Sequence, residues 1–395
     1  FHIVAHTMPS PPAGNEISTI LRHDSKQTSY KIALLRSIND VVLNFPDLAD
    51  TERDVAVPLL LLADFWIAYY WSFAHPDQPI YQGPRATLDG SPRNDMAFRP
   101  ELRALRYTFH RQHGGSTASD GFFLINQLRM PRKRKTLSSE LLESYRAART
   151  KVARTIRMPI RYAGPGEWQV FPKPTRRREL SDVVAVPGTS GNQSCLVVRH
   201  DLWRSFQNLS LWVEALCIHE WSLFTESVDQ PDENYERGDI FSVLTSRPDN
   251  RVSLTWERNQ IDILLMEGEC FICPWTGTEI RENDCYNLDH LLPVSVYPMN
   301  ETWNLAPADP RVNKQKKRDR IPSQNALQRA RPRLARTYEK YQEIESLNEA
   351  LRNDVSLRFS SLPSESETFS QEVAEAATSL IDRIGTYRNL ARFDP

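Results

Sequence analysis

Apolar residues recur at helical spacing through most of this chain. From Ser29 to Leu43 they fall at Tyr30, Ala33, Leu34, Ile38, Val41 and Val42, a pattern that predicts an amphipathic helix. Asp201 to Ser227 repeats the pattern over a longer span with Leu202, Trp203, Phe206, Leu209, Trp212, Leu216 and Trp221. Shorter helices are predicted at Glu101 to His113, Ser139 to Ile156, Val252 to Met266 and Gln371 to Leu390. A further charged helical stretch, Ser323 to Asp354, is interrupted by Pro332. Loops are predicted at His75 to Asn94, at the small residues Gly114 to Asp120 and at the acidic run Asp229 to Asp239. Phe241 to Asn250 reads as a connector. The most apolar run is Val55 to Ala74. Pro58 and Asp64 interrupt it and no basic flank supports insertion, so it is expected to be a buried core helix and not a membrane span.

The pattern changes near the C-terminal third. Tyr286 to Leu292 is short, apolar and bounded by Pro293, which suits a strand. Trp303 to Pro307 suits a second. Asp309 is a good N-cap and Pro310 fits a first helical position, so a helix is expected through Lys314 to Arg318 and to end by Pro322. Strand, long loop, strand and helix bring several chemically able side chains into sequence order. Asp289 and His290 are neighbours on a strand and so point to opposite faces. Asn313 lies in the first helical turn, with Lys316 and Lys317 about a turn later. An Asp carboxylate and an Asn amide are hard oxygen ligands of the kind Mg2+ takes beside water and phosphate. His290 is the side chain best suited to accept a proton from water near neutral pH. Lys314, Lys316, Lys317 and Arg318 are natural phosphate partners.

This order resembles the HNH nuclease motif, the ββα-metal fold, and is similar to the HNH domain of RNA-guided CRISPR effector nucleases. The run Asp289, His290, Leu291, Leu292, Pro293, Val294, Ser295 carries the resemblance, with Asn304 and Asn313 as later members. It covers about a seventh of the chain. The resemblance implies that His290 is the general base, that Asp289 and Asn313 hold Mg2+ or Mn2+, and that Asn304 pins the intervening loop. It also implies DNA cleavage leaving 5′-phosphate and 3′-hydroxyl ends, and service in a bacterial defence complex with other subunits. A surface Asp-His pair, a catalytically silent DNA-binding subunit and an RNA-directed nuclease are the alternatives. Many such domains bind a structural zinc through two Cys-x-x-Cys pairs. Here Cys270 and Cys273 supply one pair, but the second would fall at Asp309 and Val312, so the expectation is no structural zinc.

Charge adds one more feature. The whole chain is neutral, with 49 Lys and Arg against 50 Asp and Glu. Arg129 to Arg178 nevertheless holds fifteen basic residues against three Glu. Its two densest clusters are Arg132, Lys133, Arg134 and Lys135, then Arg176, Arg177 and Arg178. Clustered basic charge beside a nuclease motif points to a nucleic-acid surface, with an acidic partner protein as the other reading. Five cysteines give no disulfide framework and fit a reducing cytoplasm. No GxGxxG or GxxxxGK occurs, so a nucleotide-driven step would come from a partner. The expected organisation is α+β and predominantly α-helical. A leader at 1–14, with Met8 a candidate start, precedes a mostly helical region at 15–255. A small HNH module follows at 256–325, then C-terminal helices at 326–395.

Overall fold

The computed structural model describes residues 13–83, 87–88, 91–92, 95–114, 117–228, 230, 235–246, 254–294, 296–297, 300–312, 320–363 and 365–395. Two hydrophobic clusters organise them. The first contains residues from Ile17 to Leu244. The second contains Met130 and then residues from Ile261 to Phe393.

The helix Tyr30–Asn44 lies at the centre of the first cluster, packed against His200–Glu226, Leu59–Tyr70 and Ala13–Arg22. It is buried nearly all round, more than an amphipathic pattern predicts, because its polar residues have internal partners. Arg36 donates to the Leu244 carbonyl at 2.9 Å, and Asn39 donates to that of Ser210 at 3.2 Å. The apolar run from Val55 divides at Pro58 into a strand, Asp54–Pro58, and a helix, Leu59–Tyr70. The strand sits inside a four-stranded sheet. It pairs antiparallel with Ser194–Val198 and parallel with Val183–Ala185, and Thr175–Arg176 forms the far edge. No described helix is long and apolar enough to cross a membrane.

Asp64 is buried in the apolar helix Leu59–Tyr70 and is satisfied from outside it. Tyr145 Oη donates to it at 2.6 Å and Arg149 Nη2 at 2.7 Å. Both partners belong to the basic helix Ser139–Thr155, which Ser138 caps by accepting from the Leu141 N–H. The charge of Arg149 is thus a structural one. The helix Arg237–Leu244, started by a reciprocal capping box between Glu236 and Asp239, takes the end of the expected acidic loop and the first residues of the expected connector Phe241 to Asn250, of which 247–250 lie outside the described residues.

The second cluster joins the nuclease-like stretch to the C-terminal helices Gln324–Tyr341, Glu345–Arg358 and Phe369–Tyr387. Pro332 does not interrupt the first of these; the break falls after Tyr341. Burial of Ala330, Leu334, Ala335, Tyr338 and Tyr341 outweighs the cost of an interior proline, about 3 kcal/mol. The chain end returns to the module, where Arg392–Phe393 pairs parallel with Ile321–Pro322.

Ion pairs stitch the two clusters together. Glu257 is 2% exposed and accepts from Arg132 Nη2 at 2.5 Å, with Lys133 Nζ at 3.8 Å. Arg132 also lies over the Trp256 ring, 4.1 Å from its centre. Arg358 meets Asp47 at 3.1 Å and Arg383 meets Asp50 at 2.9 Å.

Candidate active site

Two antiparallel strands, Asn287–His290 and Leu305–Ala308, form the floor of the site. His290 stands opposite Leu305, and Asp289 opposite the small Ala306. Both Asp289 and His290 are buried. Beyond the first strand, the Pro293 carbonyl accepts from the N–H groups of Val296 and Tyr297, turning the chain. A single 3-10 turn, Thr302–Asn304, leads into the second strand.

Asn304 is fully buried and holds the exit of the first strand twice. Its carbonyl accepts from the Leu291 N–H at 2.8 Å, and its side-chain oxygen accepts from the Leu292 N–H at 2.9 Å. Asn300, also buried, places its amide oxygen 2.7 Å from His290 Nε2. An amide oxygen only accepts, so Nε2 donates, and the neutral ring carries its proton-accepting lone pair on Nδ1. Sequence reading did not select Asn300. Its signal was weak, a single Asn four residues before Asn304 in a loop.

Around this loop lies a buried acidic pair. Glu301 Oε2 accepts from Tyr297 Oη at 2.7 Å and Trp303 Nε1 at 2.8 Å. Asp354, on the helix Glu345–Arg358, accepts from the N–H and hydroxyl of Thr302 at 2.7 and 2.8 Å. Burial, reinforced by the neighbouring Asp354, pushes Glu301 up to about 7. Burial also raises Asp354, to about 6, against the lowering effect of the Thr302 hydrogen bonds. Tyr338 and Tyr341 donate to the carbonyls of Trp303 and Leu305.

The helix after the second strand begins at Pro310, and its described turn is Pro310–Val312. Asp309 caps it by accepting from the Arg311 N–H at 2.9 Å, and the Arg311 side chain and N–H hold its carboxyl below the usual range. Asn313, Lys314, Lys316, Lys317 and Arg318 lie outside the described residues, as does Ser295.

Cys270 and Cys273 flank the short strand Phe271–Ile272, which pairs with Glu279–Ile280. Cys273 is buried and its sulfur accepts from the Asp309 N–H at 3.3 Å. Val312 is packed in the same apolar cluster. Among the described residues no three His, Cys, Asp or Glu side chains converge as a metal-binding group. The basic clusters differ in surroundings. Arg132 and Lys133 turn to Glu257, whereas Arg134 and Lys135 are exposed. Arg176 and Arg178 are exposed beside the short turn Arg177–Glu179, and Arg177 donates to the Leu180 carbonyl at 3.1 Å.

Residues 273–323 match a family model described as HNH endonuclease, so the hairpin with His290 at its end belongs to an HNH domain, the kind of domain that acts on nucleic acid as a nuclease. The chain as a whole belongs to the family described as Domain of unknown function (DUF8808), whose model matches residues 11–244, nearly the span of the first hydrophobic cluster. No curated protein and no solved structure matches the chain.

Proposed function

We propose that this protein is a metal-dependent HNH endonuclease that hydrolyses DNA phosphodiester bonds and cuts one strand at a time. The observation that carries the reading is the pairing of His290 with Asn300 inside a hairpin that matches an HNH endonuclease model. A base must be held in one tautomer, and an acceptor fixed on Nε2 does that. His290 takes a proton from the attacking water through Nδ1. Asn304 keeps the strand exit, and with it the imidazole, in place.

Asp289 supplies a buried hard oxygen next to the base, and with Asn313 would hold Mg2+ or Mn2+. Such an ion, when bound, would supply Lewis-acid stabilisation of the scissile phosphate and the leaving oxygen. Asp309 is the other carboxylate near the second strand, but its contacts to Arg311 give it a capping role. Lys314, Lys316, Lys317 and Arg318, with the exposed Arg134, Lys135, Arg176 and Arg178, would contact phosphates. The resemblance to the HNH domains of RNA-guided effectors supports work in the bacterial cytoplasm, within a defence complex whose other subunits bring the nuclease to its target.

The test is a time course on supercoiled plasmid with Mg2+. One site handles one phosphodiester at a time, so open circles should precede linear DNA. His290→Ala should lower the nicking rate by about 10²–10⁴-fold while DNA affinity stays near wild type. A His290→Ala variant with wild-type activity would remove this residue from the mechanism. Wild-type protein that binds DNA without cutting it would leave a silent binding subunit.

A further inference from the structure

A cavity of about 210 Å³ lies on the seam between the two hydrophobic clusters, away from the hairpin floor. Phe45, Leu61, Arg129 and Val186 line it from the first cluster's side, and Glu301 and Arg358 from the other. Arg358 is 4% exposed. Its Nη2 donates to Asp47, but its Nε and Nη1 meet no acceptor among the described residues. Arg129 Nη2 is also buried without an acceptor there. Arg149, a third arginine in the wall, differs because Asp64 and the Leu60 carbonyl already receive its N–H groups.

A buried guanidinium, that of Arg358, and the buried Nη2 of the half-buried Arg129 together leave three nitrogens without acceptors, which is costly unless something accepts from them. We propose that this cavity binds the phosphate group of a small phosphomonoester or of inorganic phosphate. Arginine forks from two walls match an anion with more than two acceptor oxygens, which a carboxylate lacks. The volume falls below the roughly 300–1,000 Å³ of drug-sized ligand sites, so the occupant is small. Phe45, Leu61 and Val186 give apolar contact to whatever body carries the phosphate. Glu301 is the only acid in the lining among the described residues, and its carboxylate is engaged with Tyr297 and Trp303. Burial and Asp354 also keep it partly protonated near neutral pH, which lowers its repulsion of an anion.

Binding at this site does not require nuclease activity, so it is tested by calorimetry on the full chain. The probes are inorganic phosphate, AMP and adenosine. Phosphate and AMP should each saturate one site, and adenosine should not bind. AMP tighter than phosphate assigns an organic phosphomonoester, and equal affinities assign the free anion. Arg358→Lys and Arg129→Gln, checked for folding by circular dichroism, should each weaken phosphate binding by about tenfold or more. Leu357 is a partly exposed lining residue, so Leu357→Trp offers a variant that leaves the arginines intact. It should weaken AMP more than phosphate in the organic case and both in the other. The proposal is overturned by phosphate and AMP failing to saturate at concentrations of about 1 mM. It is equally overturned by adenosine binding as well as AMP. Unchanged affinity in the folded arginine variants, or in Leu357→Trp should those not fold, overturns it too.

Discussion

Glu301 gives the most direct test of the packing around the loop that joins the two strands of the candidate site. Its pKa rises from 4.5 to about 7 because the carboxyl is fully enclosed and Asp354 lies near. A carboxylate raised in the folded state keeps its proton while the unfolded chain has already lost it. The stabilisation is therefore complete below about pH 4.5 and is lost as pH rises toward 7, above which it is constant. The gap of about 2.5 pH units, at 1.36 kcal/mol each, puts the loss at about 3 kcal/mol. Glu301→Gln removes the ionisation and keeps an oxygen that accepts from Tyr297 and Trp303. Asp354 keeps its own share, which runs out near pH 6. Urea unfolding at pH 5 and pH 8 should show the variant more stable than wild type at pH 8, by about 1–3 kcal/mol, and nearly equal at pH 5. A variant less stable at pH 8, or a difference that does not shrink on acidification, would show that Glu301 is not held as described.

Asn300→Ala removes the bond that selects the His290 tautomer; at about 1 kcal/mol it should cost roughly fivefold in nicking rate. Asn300→Asp restores an acceptor with charge, and the acidic limb of the pH–rate profile should move to higher pH; an unmoved limb excludes Asn300 as the orienting group. The basic run should divide in function. Arg134 and Lys135 replaced by Glu should weaken DNA binding and flatten its salt dependence, whereas Arg132→Ala, which strips buried Glu257 of its closest partner, should cost up to about 3 kcal/mol in urea unfolding. Arg176 to Arg178 replaced by Glu should behave like the exposed pair; unchanged salt slopes would point to a protein partner. Activity should require added Mg2+ or Mn2+, with Asp289→Ala and Asn313→Ala blunting the metal response, and elemental analysis should find little zinc. One tightly held zinc per chain would overturn the expectation for Cys270 and Cys273.

Much of the helical framework was legible because its periodicity is strong. Ser139 to Ile156 was read within a residue of the observed Ser139–Thr155, and Asp201 to Ser227 nearly matches His200–Glu226. The hairpin strands were placed correctly but too long, since a 3-10 turn occupies Thr302–Asn304. What pattern could not show was long-range pairing. The four-stranded sheet brings Asp54–Pro58 beside Val183–Ala185 and Ser194–Val198, and nothing local links such distant short segments. Trp212 illustrates the reverse error. Its spacing put it on the apolar stripe of its helix, yet it is 75% exposed. For the site, a motif marked Asp289, His290 and Asn304 in order. Asn300, Glu301 and Asp354 escaped because their meaning comes from what they touch across the fold.

The loop between the two strands is a cross-braced element, and that explains why the nuclease stretch and the C-terminal helices share one core. Asn300 reaches inward to His290, while Asn304 ties the same loop to the end of the first strand. From outside, Asp354 takes two hydrogen bonds at Thr302, and Tyr338 and Tyr341 take the carbonyls of Trp303 and Leu305. Each outer brace starts on a helix beyond residue 323, where the HNH match ends. A side chain held to within a fraction of an ångström, as the proposed base His290 must be, needs neighbours whose own rotamers are locked by packing. Here those neighbours include two fully buried tyrosines and a buried aspartate from the C-terminal helices. The HNH match ends at residue 323, but the packed unit that fixes the geometry of the hairpin extends to Phe393, which joins the same cluster.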